Sequence, residues 1–371
     1  MSGICGEVFV VLAPVTELNQ TIIYGRNGLR EPPSDESVVT EVRYYSASDD
    51  SGSLKCDSIE IDAVATLSVI LNQSAGSWGA ECGSNEKGVC IGLTFSDGHP
   101  IDGKLNATDL VRLGLERGTS APDAIDVITT LNSAWGPQGE EKESAKAAFV
   151  ICDPSEAWLL NIVGSFWAAQ KISTNSLAIK PGLSVGTQVD RSSEDLQSKL
   201  QAAGLWDESN ELNFSAAFGA EPATSLWPWD DKQPNGSGSF GLLAMFESLR
   251  RAGTEKTSLS SHVSVLSSNG VSCHWVTATP NPLESVFKPF IFTSGVKISP
   301  LTKILEGESK TLLHKLHENR KWNNVGALLM SLERACVDEV NHFISEHSGE
   351  LNQELDELMK DCVEAEVKFY R

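Results

Sequence analysis

The first third of the chain sets short apolar runs between polar breaks. In MSGICGEVFVVLAPVTELNQTIIYGRNGLR an apolar run follows Cys5, and a turn-prone break covers residues 16–20. A second run over 21–24 then leads into Gly25-Arg26-Asn27. This pattern predicts a β-hairpin with a thiol at its head and a guanidinium at its tail. A polar loop holding Pro32-Pro33 is expected over 27–37, and strands over 38–45, 58–65, 65–72 and 89–95. Asn85-Glu86-Lys87-Gly88 reads as a tight turn between two strands, with Gly88 free to take a positive φ.

The period then changes. Asn106 or Thr108 caps LVRLGLERG, which stops at Gly118. Ser120, with Pro122 and Asp123 just inside, opens a second helix that ends near Gly136. Strands return over 147–152, 157–163 and 166–172, the first two joined by the Asp153-Pro154-Ser155 turn. Short helices are expected over 190–203 and 216–218. A loop with Trp227, Trp229 and Asn235-Gly236 covers 226–241, and a helix covers 242–252. Runs over 261–267 and 271–279 flank Asn269-Gly270, a hairpin signal. After an apolar stretch over 285–292, the tail from about residue 299 is polar and helix-periodic through Leu312, Leu316, Leu329, Cys336 and Val340. Strands, a helix pair, strands and a helical tail together predict an α+β layered fold, with two sheets packed together and helices outside. Residues 1–298 form the layered domain in this reading, and 299–371 a helical segment.

Composition narrows the class. The chain has 371 residues and 40% hydrophobics, enough for a sizeable core. Its formal net charge of −21 argues against nucleic acid and anionic membrane surfaces. No stretch approaches a transmembrane span, and no basic flank precedes the apolar run 8–15, so a secretory signal is not expected. The eight cysteines are scattered without a C-x-x-C, which reads as reduced cytoplasmic thiols, mostly small core residues. No zinc spacing appears, and neither metal nor cofactor is expected. His314 and His317 are three apart on a helix but lack a third ligand. Adjacent Cys273 and His274 on a strand read as a core cysteine beside a surface histidine. Asp109, Arg112, Glu116 and Arg117 read as a solvated helix face.

Cys5, Arg26 and the turn at Asn85 supply thiol, guanidinium and amide, the parts of a cysteine acyl-transfer site. The same residues also fit a terminal cysteine, a surface arginine and an ordinary turn. The stretches FVVLAPVT, IIYGRN, TEVRYYSA, WGAECGSNEKGVCIG, DLVRLGLERG, SEAWLLNIVGSFWAAQKI, TATPNPLESVFKPFIF and DCVEAEVKFYR, spread over nearly the whole chain, resemble the secernins. These are a branch of the C69 dipeptidase-like family within the N-terminal-nucleophile (Ntn) hydrolases. The resemblance implies an αββα sandwich and a catalytic cysteine exposed by removal of the residues before it.

An N-terminal cysteine carries its own base, because the free α-amine has a pKa of about 7.7–8 while the thiol lies at about 8.5. Cys5 as nucleophile therefore implies cleavage between Ile4 and Cys5. Arg26 would favour the thiolate. Asn85, matching the family's Asn-Glu-x-Gly turn, would donate to the oxyanion.

Three positions depart from the family pattern. Cys5 lies one residue farther from Phe9 than the family cysteine does, which reverses its face unless a bulge at Gly6 restores it. Leu29 stands where the wider group carries Asp. Pro181 stands where the family has Asn, and proline offers no side-chain donor. The resemblance thus leaves two expectations. One is a weak cysteine-type hydrolase acting on a small amide or dipeptide. The other is a catalytically degraded, cytoplasmic protein serving protein partners in regulated exocytosis.

Overall fold

A computed structural model describes residues 4–18, 20–29, 39–97, 104–225, 227, 234, 236–252, 258–346 and 353–370. Pro32-Pro33, Trp229 and Asn235 of the expected loops lie outside the described residues. The first eight strands are β1 (Ile4–Val11), β2 (Thr21–Leu29), β3 (Thr40–Tyr45), β4 (Gly52–Lys55), β5 (Glu60–Ala63), β6 (Val69–Ser74), β7 (Cys82–Asn85) and β8 (Cys90–Ser96). Helices α1 (Ala107–Arg117) and α2 (Ala121–Trp135) follow. Next come β9 (Lys146–Cys152), β10 (Ala157–Val163), β11 (Phe166–Lys171), β12 (Ser176–Ile179) and β13 (Arg191–Ser192). Helices α3 (Leu196–Ala202) and α4 (Phe214–Ala217), strand β14 (Thr224–Ser225) and helix α5 (Leu242–Ala252) lead to β15 (Ser258–Ser267), β16 (Cys273–Val276) and β17 (Lys288–Phe290). The tail forms α6 (Leu312–Asn319), α7 (Trp322–Glu346) and α8 (Leu358–Tyr370).

Side-chain alternation sorts the strands into two layers. In β1, Val8 and Val10 face a central core with Ile22 and Tyr24 of β2, while Phe9 and Val11 face outward. The outward set packs with Met245 and Phe246 of α5 and Leu329 and Val337 of α7. On the other layer Cys90, Val150 and Leu159 enter the central core. Their neighbours Ile91, Phe149 and Leu160 turn out toward Leu113 of α1 and Ile128 of α2. A strand buried on both faces can only sit inside such a stack, and each of these apolar side chains contributes about 1.5–3 kcal/mol of burial. The result is the four-layer αββα sandwich, α1–α2 outside one sheet and α5 and α7 outside the other. The ladders between named strands are antiparallel. The two layers are joined where the head of β1 meets the end of β8, through Ile4↔Ser96 and Cys5↔Phe95. Farther along β1 the same edge pairs β12 instead.

Local chemistry explains the boundaries. Asn106 caps α1 in a capping box with Asp109, and the Ser120 hydroxyl accepts from the Asp123 amide at the start of α2. The helix expected over 190–203 begins only at Leu196, after β13, and the strand expected over 65–72 lies at 69–74; two further differences bear on the site. Residues 27–29 are strand, not loop: Asn27 donates to the Leu249 carbonyl, its Oδ1 accepts from Ser261, and β15 covers its backbone. The Asp109–Glu116 face of α1 is buried, not solvated. Its Arg112 guanidinium is stacked between the rings of Tyr45 and Trp78, 4.2 and 4.1 Å from their centroids, and bonds Glu116 at 2.7 Å.

The helical tail packs into the same interior. Lys288 Nζ, fully buried, sits 2.8 Å from the Glu366 carboxylate of α8 and donates to the carbonyls of Thr277 and Val286 at 2.6 and 2.8 Å.

Candidate functional site

The β1–β2 register places the predicted residues. It runs without a bulge from Cys5↔Leu29 through Val8↔Arg26 to Val11↔Ile23. Residues directly opposite in an antiparallel ladder share a face, and faces alternate along a strand. Arg26 therefore shares the inter-sheet face with Val8 and Gly6. Cys5, buried, shares the opposite face with Leu29 and Phe9. The position of Gly6 agrees: a Cβ there would stand 2.7 Å from Arg26 Nε and Nη2, so the guanidinium occupies the space a side chain would need. The bulge that would have turned Cys5 toward Arg26 is not formed.

Asn85 is equally committed. Its Nδ2 donates to the carbonyls of Leu115 and Gly118 at 2.8 and 2.7 Å. Its Oδ1 accepts from the amides of Lys87 and Val89 at 3.0 and 2.9 Å. Gly88 takes φ +81° and closes the turn. Two of these four bonds staple the turn to the C-terminal end of α1 and two close the turn itself, so no amide donor is left for an oxyanion. Cys5, Arg26 and Asn85 are not brought together.

Arg26 instead anchors a buried polar seam between the two sheets. Its Nε donates to the Leu93 carbonyl at 3.0 Å, and Nη2 pairs with Glu81 at 3.4 Å. Its Nη1 lies 3.7 Å from Cys82 Sγ. Glu81 also accepts from Ser74 at 2.5 Å. His262 of β15 completes the seam, with Nδ1 3.9 Å from Cys82 Sγ and Nε2 3.3 Å from Ser84 and 2.9 Å from Ser264. Ser264 Oγ then meets His274 Nδ1 at 2.8 Å. His274 is thus buried, not the surface residue expected beside Cys273, because its strand has an interior on both faces.

Burial dominates the electrostatics of the seam. It lowers His262, with His274 and Arg26 adding to the effect, and lowers His274 to about 3. It raises the Cys82 thiol despite Arg26, and pushes Cys90 up to about 12. Both histidines are neutral near pH 7 and both thiols protonated. A cysteine, a histidine and an arginine therefore meet here without an activated nucleophile, and Cys82 and His262 are closed off from solvent. The sequence reading passed over Cys82 and His262. The available signal was Ser260, His262 and Ser264 alternating with Val263 and Val265, a polar stripe on a strand that also ladders with the hairpin carrying Arg26.

Trp227 is buried against Phe9 and Phe240, with ring centroids 5.3 and 5.2 Å away, so it anchors its segment to the outer layer. His314 and His317 are buried, and His314 Nε2 lies 3.2 Å from Glu318. Among the described residues no group of three or more His, Cys, Asp or Glu is placed to hold a metal ion. No helix there is long and apolar enough to cross a membrane.

No protein-family model matches the chain. Among solved structures it is similar to two variant forms of the conjugated bile acid hydrolase from Clostridium perfringens. One aligns at a TM-score of 0.39 and 12% identity, covering 72% of this chain and 88% of that one. The other aligns at 0.40 and 11% identity, covering 79% and 99%.

Proposed function

We propose that the chain is a secernin-like protein on the Ntn-hydrolase sandwich whose cysteine acyl-transfer site is not assembled. In this reading hydrolysis of small amides or dipeptides is weak or undetectable. The fold then serves the cytoplasm as a scaffold for protein partners, the role in regulated exocytosis that the resemblance implies. One observation carries the reading: in an unbroken β1–β2 register, Cys5 and Arg26 project from opposite faces of the sheet. The commitments of Asn85 and the replacements at Leu29 and Pro181 point the same way. Losing one oxyanion donor costs about 10²–10³ in rate, so several missing groups leave little turnover.

The competing reading is a cysteine-type hydrolase matured at Ile4–Cys5. It is favoured by the position of Cys5 near the head of β1, flanked by β2 and β8, where an N-terminal nucleophile would stand. The test uses the native chain and a form engineered to begin at Cys5, each with intact-mass verification and a dipeptide panel. The expected result is no Cys5-dependent turnover in either. Turnover near the common enzyme value of about 10 s⁻¹ that disappears on Cys5→Ala would establish the hydrolase instead.

A further inference from the structure

We propose that a cleft between β3 and α1, outside the Cys5–Arg26 region, binds the carboxylate of a small molecule with an apolar body. The cleft has a volume of about 430 Å³ and is lined by Glu41, Arg43, Tyr45, Asp57, Trp78 and Arg112 among others. Its charges are formally balanced, but their hydrogen-bonding capacity is not.

Both acids are already engaged. Glu41 pairs with Arg43 Nη2 at 3.0 Å and accepts from the Ile304 amide at 3.0 Å. Asp57 accepts from the Trp78 amide at 2.8 Å and the Ser77 hydroxyl at 3.2 Å. The two arginines keep donors in reserve. Arg112 uses Nε on Glu116 and Nη1 on the Trp78 carbonyl, at 2.7 and 2.9 Å, and Nη2 has no bond among the described residues. Arg43 is partly exposed and holds Glu41 through Nη2; its Nε has no hydrogen-bond partner but is closed off from solvent, so a ligand meets Arg43 by its terminal nitrogens. A guanidinium nitrogen without an acceptor, as at Arg112 Nη2, in the wall of a cleft marks a place for one.

The geometry narrows the acceptor to a monoanion. Tyr45 and Trp78 hold Arg112 by its two faces, so it can meet a ligand only by its edge, the mode suited to a planar carboxylate. Both rings are half-buried, and with Ile304 they give the cleft apolar walls for the rest of the molecule. A phosphate dianion would meet Glu41 and Asp57 at close quarters with few spare donors to compensate.

The experiment is calorimetric titration of the full chain with 3-phenylpropionate, its uncharged amide and inorganic phosphate. The amide is the one probe that a small-amide hydrolase could cleave, so mass spectrometry of the cell contents checks that it is recovered intact, which keeps the result independent of the hydrolase question. The acid is expected to bind at least about tenfold more tightly than the amide, and phosphate more weakly than the acid. Arg43→Met, at a partly exposed position chosen to spare the fold, should abolish the preference for acid over amide. The proposal is overturned if acid and amide bind alike, if neither binds, if phosphate binds as well as the acid, or if folded Arg43→Met keeps the preference. The acid–amide comparison on the unaltered chain stands even if the variant does not fold.

Discussion

Val8 stands directly across the β1–β2 ladder from Arg26, on the face between the two sheets. A valine thus fills the place beside the guanidinium that a nucleophile would need. Cys5 should be energetically ordinary as a result: Cys5→Ala should cost less than about 1.5 kcal/mol in urea unfolding and leave the Arg26 seam intact. A loss several times larger would mean that the thiol belongs to the seam.

Arg26→Met should be severe. It leaves Glu81 charged and buried without its partner, a change that costs about 3–5 kcal/mol. Combining it with Glu81→Gln should recover part of that loss, because the orphaned charge is gone. A double-mutant cycle by chemical denaturation measures the coupling, and additive single losses would contradict it.

Asn85→Ala should behave as a stability variant. It strands two carbonyls at the end of α1 and two amides in the turn, for a loss of about 3 kcal/mol. The denaturation midpoint gives the answer. A fully stable Asn85→Ala chain would contradict the staple.

Stability should fall on acidification from about pH 6.5. His262 and His274 are depressed in the folded chain by burial, so they stay neutral there while the unfolded chain takes up protons. The stability they hold is complete above the unfolded value of about 6.5. It is lost as pH drops toward the folded values, about 3 for His274. Each histidine contributes a slope of about 1.4 kcal/mol per pH unit in that window. Asp109, raised to about 7 by burial, has the opposite sign between about pH 4 and 7 and offsets one of the two. Burial lowers His317 to about 2, which adds a slope of the same sign as the seam histidines. Urea titrations at pH 7.5 and 5.5 should show the loss, and His274→Gln should flatten it. Equal stability at both values would contradict buried neutral histidines.

The C-terminal helix should be indispensable. Glu366→Ala leaves the Lys288 ammonium fully buried with only carbonyl partners, at a cost of about 3–5 kcal/mol. Thermal unfolding of this variant and of Glu366→Gln should separate lost charge from lost shape, with Glu366→Gln the milder. An unchanged midpoint in Glu366→Ala would mean that the pair is not formed.

The layered architecture was legible because periodicity reports burial. Strands at 157–163 and 242–252 as helix are found where the pattern put them, and the caps at Asn106 and Ser120 carry their own chemistry. The seam was hidden because a polar residue alternating with valine has the same pattern whether it faces water or another sheet. His262 and His274 look like surface residues until Arg26 and Glu81 are set opposite them. The facing of Cys5 hinged on one residue before Phe9, and sequence spacing cannot say whether a strand head bulges or runs straight. Arg112 was misassigned for a third reason: its cover comes from Tyr45 and Trp78, distant in sequence.

The join between the two sheets rests on the rungs Ile4↔Ser96 and Cys5↔Phe95. Cleavage before Cys5 would remove the first of these and turn the second into a chain terminus, where fraying is cheapest. Whatever trims this N-terminus also loosens a hinge between the layers. Amide exchange across residues 93–96 should quicken in a shortened chain before any change in chemistry is seen.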